Sequence, residues 1–424
     1  MPHIYPVFNY YGLWFFGQKH LTFLKMILTI FLLTVVIVMQ QFSRSPSWGT
    51  AKLIIRVRFL IKEQHITMLK RFAVVLIFVV ALMSVSVILA QDTPAVPQLN
   101  ASGATFPLTI YNAWNADYAE EFGVQVNYAG GGSGRGQRDI IANVVDFGGT
   151  DSFLNDAQLG QARCGRVVHV PTVLGGIAMI YNIPELAGQA PLQLRGNEIA
   201  KIYLNEITRW NDPLLVALNP QLASIDREIL PVFRADSSGT TFNFTVFLYS
   251  ENANWGQFRV GQAINWLRGQ SAQGNPGVAG LVNASPYSLG YVELSFVGDL
   301  DYAAIKNPTG GFILPTPESI SLAAEGVDIP ADTRIVLIYR SSNPEAYPIS
   351  TFTWLVACQN QANAGRAREI TRYLWWATHE GQSYAAGLDY APLPSRVVAL
   401  AEANILSINN PDGSQALPTS IASR

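Results

Sequence analysis

Apolar residues recur at helical spacing at Tyr111, Trp114, Tyr118 and Phe122, with Pro107 ahead of them and Gly123 behind, which predicts an amphipathic helix over Pro107 to Phe122. Val124 to Tyr128 then reads as a strand entering a glycine loop. Ile140, Ile141 and Val144 indicate a helix that ends before a short strand at Val145 to Gly148. Val167 to Val173 and Ile177 to Tyr181 are apolar runs separated by Gly175-Gly176. Farther on, Arg234 to Tyr249 reads as a loop feeding an apolar helix, Ile335 to Tyr339 and Thr351 to Val356 as strands, and Ala367 to His379 as a helix. Helical and strand patterns alternating across short turns are the texture of an α/β protein, and no internal repeat argues for a solenoid or propeller.

Two further apolar stretches, Met26 to Met39 and Phe72 to Ala90, lie ahead of this pattern. The second follows Met68-Leu69-Lys70-Arg71 and ends on the small residue Ala90 before Gln91-Asp92-Thr93-Pro94, the layout of an export signal. At 19 residues it also has the length of an uncleaved membrane anchor, so residues 68–90 are read as one or the other. Residues 1–67 are read as an extension that is either non-native, with Met68 the true start, or membrane-associated, its cationic loop staying on the cytoplasmic side. Residues 91–98 form a short Pro-containing linker.

Charge sharpens this division. The chain has 424 residues, of which 28 are Lys or Arg and 30 Asp or Glu. Up to Ala90 there are nine basic residues and one acid, Glu63, which leaves a body with a net charge of −10. An acidic body argues against nucleic-acid binding. With 49% hydrophobic residues and a length of roughly 330 residues, the body is large enough for two domains around a cleft. The two cysteines, Cys164 and Cys358, both fall in the body, either as a disulfide in an oxidising compartment or as two small buried apolar residues. His169 alternates with Val168 and Val170 and reads as structural, His379 is far from it in the chain, and no metal site is expected.

Three polar loops carry the candidate chemistry. In Gly103-Ala104-Thr105-Phe106-Pro107, Thr105 stands where a helix cap belongs. In Gly130 to Gly136, the glycines around Ser133 let backbone N–H groups approach a ligand ahead of a helix. In Arg234 to Thr241, hydroxyls, amides and a guanidinium meet at a helix start, a set that suits an oxyanion. Each loop alone is equally well explained as capping or turn chemistry; three such helix starts in one chain point to an anion. The glycine loop matches neither a P-loop nor a dinucleotide fingerprint nor a nucleophile elbow. A secreted phosphatase with Ser133 or Ser238 as nucleophile would need a base or metal that the sequence does not offer. Asp151, at the end of Val145 to Asp151, is either a helix cap or an acceptor for an anion that carries a proton.

The strings ASGATFP (Ala101 to Pro107), Gly132-Ser133, VDFGGTD (Val145 to Asp151), VPTVLGGIAMIYNIPEL (Val170 to Leu186), IYLNEITRWNDP (Ile202 to Pro213), FRADSSGTTFNFT (Phe233 to Thr245), SLGYVE (Ser288 to Glu293) and LDYAPLP (Leu388 to Pro394) resemble, in order, the periplasmic phosphate-binding proteins of the PstS family. The resemblance covers about Leu99 to Leu400. It implies a two-lobed periplasmic-binding-protein fold, each lobe a doubly wound sheet flanked by helices, with lobe I at 97–173 plus 345–424 and lobe II at 174–344. It implies an extracytoplasmic receptor, not an enzyme, that takes inorganic phosphate, needs no cofactor, acts as a monomer and serves the permease subunits and cytoplasmic ATPase of an ABC importer. Donors would come from Thr105, Phe106, Ser133, Arg234, Ser238, Gly239 and Thr240, and Asp151 would accept the phosphate proton. Asp236 would orient Arg234, with Gly132 and Gly134 giving access. Arg135 departs from the family's glycine-loop pattern and is read as either a further ligand contact or a solvent-facing side chain.

Overall fold

The computed structural model describes residues 98–256 and 259–422. Pro94–Arg424 forms one compact unit, whereas the other unit, Met1–Thr93, lies outside the described residues, as do the extension at 1–67, the signal or anchor at 68–90 and all of the 91–98 linker except Gln98.

The order of elements begins β1 (Gln98–Gly103), α1 (Leu108–Phe122), β2 (Gln125–Gly130), α2 (Ser133–Ile141), β3 (Phe147–Thr150) and β4 (Val167–Asn182). It continues with α3 (Gly196–Tyr203), β5 (Leu230–Arg234), α4 (Gly239–Glu251), β6 (Gln270–Ala272), α5 (Gly274–Ala284), β7 (Ser288–Glu293), β8 (Ser350–Cys358), α6 (Ala364–Thr378) and α7 (Ser395–Leu406). The main sheet runs β2-β1-β3-β8-β4-β7-β5-β6. β1 lies parallel to β2 and β3, and β5 lies parallel to β7 and β6. Between these two parallel groups, β8 and β4 run antiparallel to each other and to their outer neighbours. The parallel groups need crossover connections, and α1, α2, α4 and α5 provide them.

β4 belongs to both groups. Its first part, Val167 to Gly176, pairs with β8, and its second, Ile177 to Asn182, pairs with β7. All of its residues but Asn182 are buried, the continuous apolar run expected of a strand covered on both faces. Gly175 and Gly176, which in sequence separate two runs, therefore lie inside one strand. A Cβ on Gly175 would sit 2.4 Å from the Phe106 ring and one on Gly176 2.7 Å from Ile320, so these glycines make room for side chains and do not turn the chain.

Three other expectations shift. The short strand is Phe147–Thr150, not Val145 to Gly148, because Asp146 is taken by the Asn100 amide at 2.7 Å and Val144 is 67% exposed. Ser133 and Gly134 already belong to α2, so the helix begins inside the glycine loop. Ile335 to Tyr339 forms no strand: the segment is anchored by side chains, with Arg334 bonded to Asp332 and Asp156 and with Leu337 and Ile338 buried, while Tyr339 takes φ 57° and breaks any extended run. His169 is buried in β4, where its Nε2 accepts the Leu154 amide at 3.0 Å and burial pushes its pKa down to about 3.

Cys164 and Cys358 form a disulfide that ties the approach to β4 to the end of β8, across 194 residues of sequence. By the loop-closure argument, a loop of that size restricts the unfolded chain by up to about 5 kcal/mol. Cys358→Ala should therefore lower unfolding stability by about 2–5 kcal/mol, read from denaturant midpoints; a variant as stable as the wild type would show that the β4–β8 ladder alone holds these strand ends together.

Candidate functional site

β1 ends at Gly103 with φ 143°, where a Cβ would lie 2.1 Å from the Gly149 carbonyl; only glycine lets β1 approach β3 this closely. The chain then turns through Thr105 and Phe106 into α1, whose cap position is Pro107, with no side-chain cap. Thr105 is thus not the helix cap its position indicated. Its Oγ1 reaches across to the start of α5 and accepts from the Asn275 amide at 3.0 Å and from Asn275 Nδ2 at 3.2 Å. Phe106 is buried against Gly175, its carbonyl accepts from the Tyr390 hydroxyl at 2.7 Å, and its own amide meets no acceptor among the described residues.

The second and third loops touch. Ser133, fully buried at the first turn of α2, donates to Asp151 Oδ2 at 3.1 Å and accepts from the Asp151 amide at 3.1 Å and the Gly239 amide at 3.0 Å. The Gly134 amide donates to the Ser237 carbonyl at 2.9 Å. The access expected of Gly132 and Gly134 is used here by protein: a Cβ on Gly132 would lie 2.3 Å from Asp236 Oδ2, and one on Gly134 2.2 Å from Ser237 Oγ. Gly239 is equally constrained, its Cβ position being 2.5 Å from Ser133 Oγ.

Arg234, at the end of β5, is buried and makes a two-pronged pair with Asp236, Nε to Oδ1 at 2.8 Å and Nη2 to Oδ2 at 2.5 Å. Its Nη1 donates to Thr240 Oγ1 at 3.2 Å. Burial raises the Asp236 pKa, but the bonds and charge of Arg234 outweigh this and hold it below the ordinary carboxylate range. Ser238 caps α4 by accepting the Thr241 amide at 3.1 Å, and the Thr240 amide has no acceptor among the described residues. Arg135 is not brought into this group: its side chain is 45% exposed and its Nε lies 3.4 Å from Asp139.

Asp151 is the odd member. It is 2% exposed, makes no ion pair among the described residues and is held by two hydroxyls, Ser133 at Oδ2 and Thr353 at Oδ1 at 2.9 Å. Burial pushes its pKa up to about 7, against the opposing effects of Thr353, Arg234 and Ser133. The helix-cap reading is set aside by these contacts. Thr353 and Asn243, whose Nδ2 donates to the Asp151 and Gly239 carbonyls at 2.6 and 3.0 Å, were missed in the sequence. Thr353 had a signal, since Thr351 and Thr353 alternate with apolar residues in β8; Asn243 had only its place one turn beyond Gly239.

Hydroxyls, free amides and one guanidinium around a buried carboxylate make a donor-rich site with one acceptor. Such a set can hold a protonated oxyanion without a metal, and no cluster of metal-ligating residues occurs among the described residues.

Residues 90–380 match the model of the PBP superfamily domain. The chain is 36% identical to the phosphate-binding protein PstS of Haemophilus influenzae over 305 residues, covering 71% of this chain and 90% of that protein. It is 32% identical to the PstS of Methanocaldococcus jannaschii over 316 residues, covering 69% and 81%. Among solved structures, a high-affinity periplasmic phosphate-binding protein, PfluDING, bound with phosphate, superposes with TM-score 0.64 at 22% identity, covering 76% of this chain and 98% of that one. The two-lobed α/β fold is thereby shared.

The burial of Asp151 sets a pH dependence. The folded chain keeps this proton up to about pH 7, whereas an unfolded aspartate releases it near 3.8, so between these values the folded state holds more protons and stability falls as pH rises. The loss amounts to up to about 4 kcal/mol. In the ligand-free protein, Asp151→Asn should gain stability relative to wild type between about pH 4 and about pH 8, read from thermal midpoints. A difference that does not change with pH would mean that Asp151 titrates normally.

Proposed function

The chain belongs to the PstS family of phosphate-binding proteins, and on that footing we propose that it is an extracytoplasmic receptor that captures inorganic phosphate between its two lobes and delivers it to an ABC importer. The observation that carries this reading is the meeting of Ser133, Asp151, Gly239 and the Arg234 loop, brought together from three separate segments of the chain. Thr105, Ser133, Ser238 and Thr240 supply hydroxyls, Phe106, Gly239 and Thr240 supply amides, and Arg234, held in orientation by Asp236, supplies the formal positive charge. These donors saturate an anion that is otherwise costly to bury inside an acidic protein. Gly132 and Gly134 let the glycine loop come close to Asp236 and Ser237 of the third loop.

Asp151 confers selectivity. Phosphate keeps a proton near neutral pH and donates it to the carboxylate; sulfate, fully ionised, sets two acceptors face to face. No covalent step is part of this reading. Ser133 has no histidine partner among the described residues, and its hydroxyl is already shared between Asp151 and Gly239.

Lobe I is assigned to 97–173 plus 345–424 and lobe II to 174–344, with β4 running through both. Binding of one anion by loops from both lobes favours the closed arrangement. Segment 68–90 directs export, and the disulfide fits an oxidising compartment. The receptor acts as a monomer and presents the closed lobes to permease subunits coupled to a cytoplasmic ATPase.

Calorimetric titration of the full-length protein, stripped of bound anion, tests this directly. Phosphate should bind one-to-one and sulfate should give no heat. Ser133→Ala, which removes one hydrogen bond to a charged ligand, should weaken phosphate roughly tenfold or more. Asp151→Asn should erase the preference for phosphate over sulfate. Equal binding of both anions by the wild type would mean a general oxyanion receptor.

A further inference from the structure

The loop between α4 and β6 contributes a residue that the phosphate reading does not use. Gln262 lies in this loop, which is fixed to its own side of the sheet at two points. The Gly261 amide donates to Thr245 Oγ1 on α4 at 3.1 Å, and Trp266 stacks on Phe233 of β5 at 5.0 Å and packs on Tyr203 of α3 at 5.1 Å. From this anchored position the Gln262 side chain reaches the opposite segment. Its Nε2 donates to Gln137 Oε1 on α2 at 2.9 Å and to Ser152 Oγ at 2.8 Å. Its Oε1 accepts from Ser237 Oγ at 2.8 Å, and its backbone carbonyl accepts from the Ser238 amide at 2.9 Å.

Both N–H donors and the amide oxygen are thus occupied, and the partners are the shoulders of the anion site. Ser152 follows Asp151, and Ser237 and Ser238 precede Gly239. Gln137 extends the grip: it is buried, and its Nε2 donates to Thr150 Oγ1 at 3.0 Å and to the Ser152 carbonyl at 2.6 Å, so the residues on both sides of Asp151 are held. Gln262 touches neither Asp151 nor Arg234 in any bond described, and it is half-buried at the edge of the site.

We propose that Gln262 is a latch, a positioning residue whose side-chain amide fastens the Arg234–Thr241 loop to the Asp151 loop and so sets how long bound phosphate is retained. The proposal rests on the phosphate reading above. Its two donor bonds run between the segments assigned to different lobes, and the bonds to Ser237 and Ser238 stay within one. Opening the cleft breaks the first pair and keeps the second. The latch therefore stabilises the closed form without adding an attraction that the anion meets on entry, and its effect belongs in the release rate.

Stopped-flow kinetics of the full-length protein with inorganic phosphate test it. Gln262→Met keeps the volume and removes both donors together with the acceptor of Ser237 Oγ. The two bonds lost across the cleft predict release roughly tenfold faster or more with the association rate little changed, and the single bond lost within one lobe predicts only a small drop in the thermal midpoint of the ligand-free protein. The phosphate-to-sulfate preference should stay, since Asp151 is untouched. Ser152→Ala removes one of the two acceptors and should accelerate release less, and the double variant should be no faster than Gln262→Met alone. Unchanged release in Gln262→Met overturns the latch, as does a ligand-free midpoint that falls in proportion to the affinity, which would make Gln262 structural only. A wild type that binds no phosphate overturns the receptor reading itself, a result distinct from either.

Discussion

Arg234 commits its guanidinium to Asp236, and that leaves Asp151 buried with no ion pair of its own. The neighbourhood of the site follows from this one constraint. A carboxylate out of water needs hydrogen-bond donors, and Ser133 and Thr353 supply them as neutral hydroxyls, which stabilise the charged form less than a cation would. The result is a carboxyl poised near neutrality, at about 7, able to accept a proton that a ligand brings. A salt-bridged Asp151 would be held ionised and partnered in advance, and a hydroxyl in its place would lose the discrimination between protonated and unprotonated anions.

The backbone is built to make those donors converge. β1 and β3 come together at Gly103, α2 starts at Ser133 directly over the β3 end, and Gly239 opens α4 against Ser133. At Gly103 and Gly239 a Cβ would collide with the neighbouring strand or loop, so these glycines serve contact between segments more than mobility. β4 gives the convergence its frame, because one unbroken strand pairs with β8 at one end and β7 at the other. β4 changes partner at Gly176 and Ile177, next to Gly175, where the Phe106 ring of the first loop packs.

Sequence logic reached what is written in neighbouring residues. The helix over α1 declares itself by spacing and the three loops each carry their own glycines and hydroxyls, while the pairing of Arg234 with Asp236 came from the family resemblance. Where the outcome depended on the third dimension, local rules misled. Thr105 has the place of a cap and instead bonds Asn275, 170 residues away. Ile335 to Tyr339 has strand composition, yet a strand also needs a free edge to pair with, and side-chain anchoring took that segment. Gly175-Gly176 separates two apolar runs in the sequence, but lies inside one strand because Phe106, distant in sequence, fills the space at Gly175. Gln137, Asn243 and Gln262 were invisible for the same reason: side-chain amides are common on any chain, and only their partners distinguish them.

The acidic body and the anion site are reconciled by range. Net repulsion from a body of charge −10 is spread over the surface and screened within about 8–10 Å in physiological salt. In the proposed site the amides of Phe106, Gly239 and Thr240 and the hydroxyls of Thr105 and Ser133 would act at contact distance and away from bulk water, where each bond to an ionised group counts most. A cage of lysines would attract an anion strongly but would repel itself open when empty. Dipoles and a single compensated arginine leave the balance between open and closed to small terms, which is the condition for a receptor that must both retain its ligand and give it up.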